Sequence, residues 1–244
     1  MRAILTSPKV PGNSMRGFTL IELISVIAII SVLIGFTVPA LSNFNGNDVS
    51  QAAYNVGDMM DQARAYAMSA NTYVYVGIVQ DSSSSPTGSM VMGVVASSDG
   101  TQIFSGSNSN LSLNSNRFKL ISKLFKEKNV QTVSLPSSAN GQRPDIANSY
   151  KVGDAAFGQA DSSAPVRSFS VGNYHFTNTP GATGAKGVAS LGILQIDPQG
   201  VVSEVGGDAV PSFEIGLKPV NGNQSNYAAI QIAGLSGAVR IYRP

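Results

Sequence analysis

The sequence predicts an α+β protein: one long N-terminal helix whose second half lies on a β-rich, antiparallel globular domain. Three observations carry this reading. Phe18 to Leu41 is a run of 24 residues whose only polar members are Thr19, Glu22, Ser25, Ser31 and Thr37. Val49, Ala52, Ala53, Val56, Met59, Met60, Ala63, Ala67 and Ala70 then recur at the spacing of an amphipathic helix. Beyond Tyr73 the pattern changes to short apolar runs divided by Gly, Pro, Asn, Asp and Ser, which read as strands and turns.

Composition agrees. A chain of 244 residues suits one domain with appendages, or two small domains. Only 12% of residues are charged, and 25 glycines and 12 prolines accompany many Ser and Asn, a mix suited to strands with long polar loops. The formal charge is +2, but Arg2, Lys9 and Arg16 all precede Phe18 and no acid does. The remainder holds 13 basic residues against 14 acidic ones. A near-neutral body without a basic cluster argues against nucleic-acid partners, because such binding draws on phosphate neutralisation. With no cysteine, disulfides and thiolate metal sites are excluded.

The first element is the apolar run. At about 1.5 Å per residue, 20 helical residues cross a hydrocarbon core of about 30 Å. Bases before the run and Asp48 as the first charge after it place the N-terminus on the cytoplasmic side of a single-pass segment. A cleaved secretory signal is one alternative, with Val38-Pro39-Ala40 as its small-residue site, but its apolar region should be only about 7–15 residues. A plain anchor is another, and it leaves Glu22 unexplained. On insertion scales an ionised side chain at the centre of a spanning helix costs roughly 2.5–3.5 kcal/mol. Glu22 therefore needs a role.

The residues around it suggest one. Gly17-Phe18-Thr19-Leu20-Ile21-Glu22, preceded by Arg16 and followed by the apolar run with Pro39 near its end, resembles the N-terminal signal of type IV pilins and type II secretion pseudopilins. The resemblance implies that a prepilin peptidase cuts between Gly17 and Phe18 on the cytoplasmic side and methylates the new amine of Phe18. It implies too that Glu22 serves subunit addition to a filament. Cleavage would leave a cationic amine about 6 Å from Glu22 along the helix axis. In stacked helices with an axial offset, Glu22 of one subunit then meets the amine of a neighbour. Desolvation takes back much of the attraction, so the pair selects a register more than it adds stability. Counted from Met1 the leader has 17 residues, longer than in many members of that family.

The helix is expected from about Thr19 to Ala70, bent or interrupted at Pro39 and loosened around 43–47, since proline removes a donor and clashes with the preceding turn. "QARAYAMSANTYVYVGI", a helix end running into a strand, resembles the minor pseudopilins of the H type, in which the helix packs on a domain of two β-sheets. That likeness implies a sheet or sandwich head. The organisation expected is a leader over 1–17, a membrane and filament-core helix over 18–41, its amphipathic continuation over 42–72, and a β-rich head over 73–244.

Within the head, Asn71–Val79 leaves the helix and begins a strand, and Met90–Ser97 is its hairpin partner. Residues 97–116 read as a surface loop. "RFKLISKLFKEK", Arg117–Lys128, can be drawn as a short helix with Phe118, Ile121, Leu124 and Phe125 inward and Lys119, Lys123, Lys126 and Lys128 in solvent or against a membrane or partner. Ser137–Phe157 reads as an irregular polar connection, and Ser168–Phe176 as an alternating strand. Leu191–Val205 reads as a hairpin, with Asp197, Pro198 and Gly200 suited to a type I turn. "PSFEIGLKPV" and "YAAIQIAGLSGAVRIYRP" supply the last strands, the final pair separated by Gly234–Gly237.

No motif points to catalysis. His175 is the sole histidine, in strand alternation with Tyr174 and Phe176, and no second His or Cys exists to make a zinc site. There is no G-x-S-x-G, and the aspartates miss EF-hand spacing, which leaves open a loop calcium site of the kind known in some major pseudopilins. "TNTPGATGAKG" lacks the Lys-Ser/Thr step of a P-loop and reads as a flexible loop. No cofactor is implied. The function expected is a structural subunit of a pilus-like filament or secretion pseudopilus. Its partners are the peptidase/methyltransferase, other pilin-like subunits and the bacterial inner membrane, and the assembled filament is periplasmic or on the cell surface. The alternative is a membrane-anchored or exported β-domain that binds a ligand or carbohydrate.

Overall fold

The computed structural model describes residues 18–41, 45–83, 88–104, 116–135, 143, 150–152, 166–179, 183–184, 188–205, 210–221 and 225–243, with backbone alone at 35–41, 45–47, 150 and 183–184. The chain divides into two compact units, Met1–Asn43 and Phe44–Pro244. The fold is α+β: N-terminal helix, then antiparallel sheets in a globular unit.

The first unit holds α1 (Leu20–Leu41), whose helical backbone passes Pro39 without a break. Thr19 precedes it and caps it: the Glu22 N–H donates to Thr19 Oγ1 at 3.3 Å and to Thr19 O at 3.1 Å. Its described apolar side chains, from Leu20 to Ile34, are all exposed and fall on every side of the helix. A helix that is apolar all round finds its place in a large core or in lipid. Among the described residues no helix is long and apolar enough to cross a membrane. The side chains described in α1 end at Ile34, so a span reaching Leu41 rests on the sequence.

The second unit opens with α2 (Asn45–Ala70). Val49, Ala52, Ala53, Val56, Met60, Ala63 and Ala67 are its buried stripe, while Met59 is partly buried and Ala70 exposed. Alanines in this stripe let sheet side chains approach the helix closely. Asn71 ends it in the left-handed region, φ 48°, and the Thr72 N–H reaches back to Ala67 O at 3.0 Å, the long bond of a Schellman cap. Thr72 Oγ1 then donates to Ser97 O at 2.9 Å, which fixes the exit to the neighbouring strand.

β1 (Val74–Asp81) and β2 (Ser89–Ser97) form the expected hairpin, register Val74↔Ala96 to Asp81↔Ser89. β10 (Val188–Ile196) pairs the other side of β1, and β11 (Val202–Glu204) pairs β10. The Asp197–Gly200 turn joins them as expected. The Gly200 N–H donates to Asp197 O at 2.9 Å, and Asp197 Oδ1 accepts from the N–H groups of Gln199 and Val201. The second sheet contains β5 (Val130–Val133), β12 (Ser212–Pro219), β13 (Ala228–Ala233) and β14 (Val239–Tyr242) in the order β14-β13-β12-β5. β6 (Tyr150–Lys151) adds a short parallel pairing to β12.

Two cores result. The first lies between α2, one face of the β1/β2/β10 sheet and the inner face of the second sheet. The second lies on the opposite face of the β1/β2/β10 sheet, under the hairpin of β7 (Ser168–Val171) and β8 (Tyr174–Thr177). β1 and β2 are therefore covered on both faces and apolar at almost every position. The remaining short strand, β9 (Thr183–Gly184), pairs with β10 inside the segment read as a flexible loop.

Three expectations need correction. Arg117–Lys128 is no helix: β3 (Phe118–Leu120) and β4 (Phe125–Lys128) both pair with β2, joined by residues 121–124, with Ile121 N donating to Val94 O. Phe118 enters the second core and Phe125 packs on the first, which needs an edge strand lying between both. Ser168–Phe176 is a hairpin rather than one strand, turning at Gly172, φ 59°. The start of the 97–116 loop is interior: Ile103 and Phe104 are fully buried, and the Ile103 N–H donates to the Tyr75 hydroxyl at 2.9 Å. Most of 137–157 lies outside the described residues, although Arg143 within it is buried.

Candidate functional site

Of the residues singled out for processing and assembly, Phe18 and Glu22 lie at the front of α1. Gly17 lies outside the described residues, and Phe18 is the first described one, 81% exposed. Glu22 occupies the first helical turn, where a carboxylate is favoured by the unpaired N–H groups of the helix start. The two serines of the run are internally satisfied: Ser25 Oγ donates to Ile21 O and Ser31 Oγ to Ile27 O, each at 2.8 Å. Such back-bonding lets a hydroxyl sit in an apolar setting. The Glu22 carboxylate accepts no hydrogen bond among the described residues. It is exposed, with Phe18, Thr19, Ser25 and Val26 as its neighbours three and four positions away on the helix face, and open to a partner from outside the helix.

Three polar groupings in the second unit were not legible beforehand. Asp81, at the end of β1, accepts from Lys126 Nζ at 3.2 Å, the Tyr174 hydroxyl at 3.0 Å and the backbone N–H of Ser83 at 3.0 Å. Burial alone would raise its pKa, but the donors from Ser83, Lys126 and Tyr174 outweigh it and hold the carboxyl well below its usual range. Lys126 also donates to Tyr174, 3.1 Å away, and that contact keeps its ammonium charged to higher pH. Second, Arg143 and Glu214 form an ion pair at 3.0 Å with both side chains almost fully buried, and Gln231 donates to the other Glu214 oxygen. Third, Ser170 Oγ lies 2.9 Å from His175 Nδ1 across the β7–β8 hairpin. Spacing in the sequence had offered no such base–hydroxyl pairing. The pair is exposed, and cross-strand position explains it without chemistry.

Residues 12–38 match the family model described as the prokaryotic N-terminal methylation motif. Gly17, Phe18 and Glu22 all fall inside it. No curated protein and no solved structure matches the chain. The motif supports a pilin-like chain whose N-terminus is processed and methylated.

Proposed function

We propose that this chain is a structural subunit of a pilus-like filament, nearer to a minor pseudopilin of the H type than to a major pilin. The prepilin peptidase cuts between Gly17 and Phe18 at the cytoplasmic face of the inner membrane and methylates the Phe18 amine. The run from Phe18 to Leu41 holds the subunit in the membrane, N-terminus inward, until it joins a periplasmic or cell-surface filament. Pro39 marks a bend near the end of that segment. Within the second unit, the β-rich head packs on the buried stripe of α2. The role is structural rather than enzymatic.

One observation carries the reading: inside a methylation motif, Glu22 is the sole acid of α1, in its first turn, on a helix otherwise without charge whose described side chains are exposed. At the helical rise its carboxylate lies about 6 Å along the axis from the amine that cleavage would create. Two such charges 4 Å apart in a setting of effective dielectric 20 attract by about 4 kcal/mol, which desolvation largely offsets. What survives is selectivity: only an axial offset that brings Glu22 to a neighbour's Phe18 amine leaves no bare charge in the bundle.

Mass spectrometry of the mature N-terminus tests the processing step. N-methyl-Phe18 is expected. A native chain that keeps residues 1–17, or one that begins at Leu41, would sink it.

A further inference from the structure

The open edges of the two sheets are built differently. At the edge of the first sheet, β3 and β4 carry Lys119, Lys126 and Lys128 and are interrupted over 121–124, devices that discourage pairing with a foreign strand. β14, at the edge of the second, is Val-Arg-Ile-Tyr without interruption, and it hydrogen-bonds to β13 alone among the described strands. Val239 and Ile241 face the first core near Gly57 of α2 yet are only partly buried, as if one flank were missing. Arg240 and Tyr242, of opposite parity, face the other way.

There they line a groove of about 340 Å3, with Ser212 and Gln231 buried beneath and Ser236 and Ala238 at the surface. The Ser212 hydroxyl is buried, 8% of the residue being exposed, and has no hydrogen-bond partner among the described residues, a costly state for a buried hydroxyl. The Arg240 guanidinium is exposed and makes no hydrogen bond or ion pair with any described residue. The registers Glu214↔Gln231 and Gln231↔Arg240 set these three in one row across the sheet. The row runs acid, amide, base, and then stops at the open edge.

We propose that β14 is a docking edge for an extended segment of another protein chain, one that places a carboxylate side chain beside Arg240. Backbone pairing with β14 supplies affinity, and alternate side chains supply specificity. Residues on one side of the added strand cover Val239 and Ile241 and are apolar. Those on the other side fall over the groove, where a carboxylate extends the row from Arg240 by an opposite-charge cross-strand pair. This surface stands apart from the processing reading, since a chain still carrying its leader would bind equally.

The test uses the full chain in detergent and a fluorescein-labelled peptide, Thr-Val-Glu-Val-Thr-Val, blocked at both ends. Saturable binding by anisotropy is expected, weaker by about tenfold for the peptide with Lys in place of Glu. Arg240→Glu, an exposed change that leaves the core alone, should reverse that preference. Amide hydrogen exchange at Val239–Tyr242 should slow when peptide binds. Equal binding of both peptides, binding unmoved by Arg240→Glu, complete competition by acetate at matched concentration, or unchanged exchange in β14 would each overturn the proposal.

Discussion

The ring of Phe176 lies against the backbone of Gly77, so close that a β-carbon on Gly77 would stand 2.5 Å from its Cγ and Cδ1. Gly77 pairs directly with Gly93 across the β1–β2 hairpin, and a β-carbon there would meet the far end of the same ring at 2.8 Å. Phe176 is fully buried and stacks on Phe169, centroids 4.9 Å apart. Two facing glycines thus form the seat on which the β7–β8 hairpin rests.

Gly77→Ala should therefore lower unfolding stability by about 1–3 kcal/mol, the usual cost of forcing a methyl into a filled core. Gly93→Ala should cost less, because its close contacts are with the ring's tip, and Leu124 stands at an ordinary 3.5 Å. In a Phe176→Ala background, itself down by about 3–5 kcal/mol, the Gly77→Ala penalty should largely vanish. Urea unfolding of the four chains followed by tyrosine fluorescence checks this. An unchanged penalty in that background would show that the ring is not the obstacle.

Asp81 gives a pH signature. Its folded pKa lies below the unfolded one, so the ionised form favours the fold. The stabilisation is complete above about pH 5 and fades as pH falls below the unfolded value near 3.9. Asp81→Asn should cost on the order of 2 kcal/mol at pH 7, reflecting charged hydrogen bonds lost from Lys126 and Tyr174. The gap between wild type and variant should narrow steadily below pH 4 in thermal melts taken across pH. A gap that stays constant down to pH 2 would contradict the assignment.

Much of this architecture could be seen in the chain before any coordinates. The alanine-rich stripe of α2 names its buried face because period and burial coincide over about five turns, from Val49 to Ala67, and Asp197 with Gly200 names its turn through local hydrogen bonds. Glu22 stood out because one acid in an apolar run has few explanations. Arg117–Lys128 misled because Phe118, Ile121, Leu124 and Phe125 fit a helical face as well as two strand fragments, and only the edge of β2 decides between them. Arg143 and Glu214, and Ser170 with His175, depend on which strands become neighbours. Composition and spacing carry no trace of that.

The Arg143–Glu214 pair should behave as a buried pair does. Glu214→Gln takes the Glu214 charge away from a guanidinium that is nearly inaccessible to water, a loss of about 3–5 kcal/mol. Removing both charges together, as Arg143→Met with Glu214→Leu, should recover most of that loss, since the pair's own attraction is spent on desolvation. Chemical denaturation of the single and double variants measures the difference. A double variant as unstable as the single one would mean that the pair itself stabilises the second sheet.

Glu22 offers the sharpest separation of charge from shape. Glu22→Ala, Glu22→Gln and Glu22→Asp all leave Gly17 and Phe18 in place, so each should yield mature chain with N-methyl-Phe18. Assembly should divide them. Gln keeps the size and the hydrogen-bonding oxygen of Glu22 but carries no charge, so under the pairing hypothesis it fails with Ala, by about tenfold or more in the sheared filament fraction. Asp keeps the charge on a stem shorter by one carbon and should retain partial incorporation. The Thr19 cap, made to the backbone N–H at position 22, is unchanged by any of the three, so helix fraying cannot account for the ranking. Were the Gln variant to enter filaments as well as wild type while Asp failed, side-chain reach rather than charge would set the register, and the amine of Phe18 would lose its assigned partner.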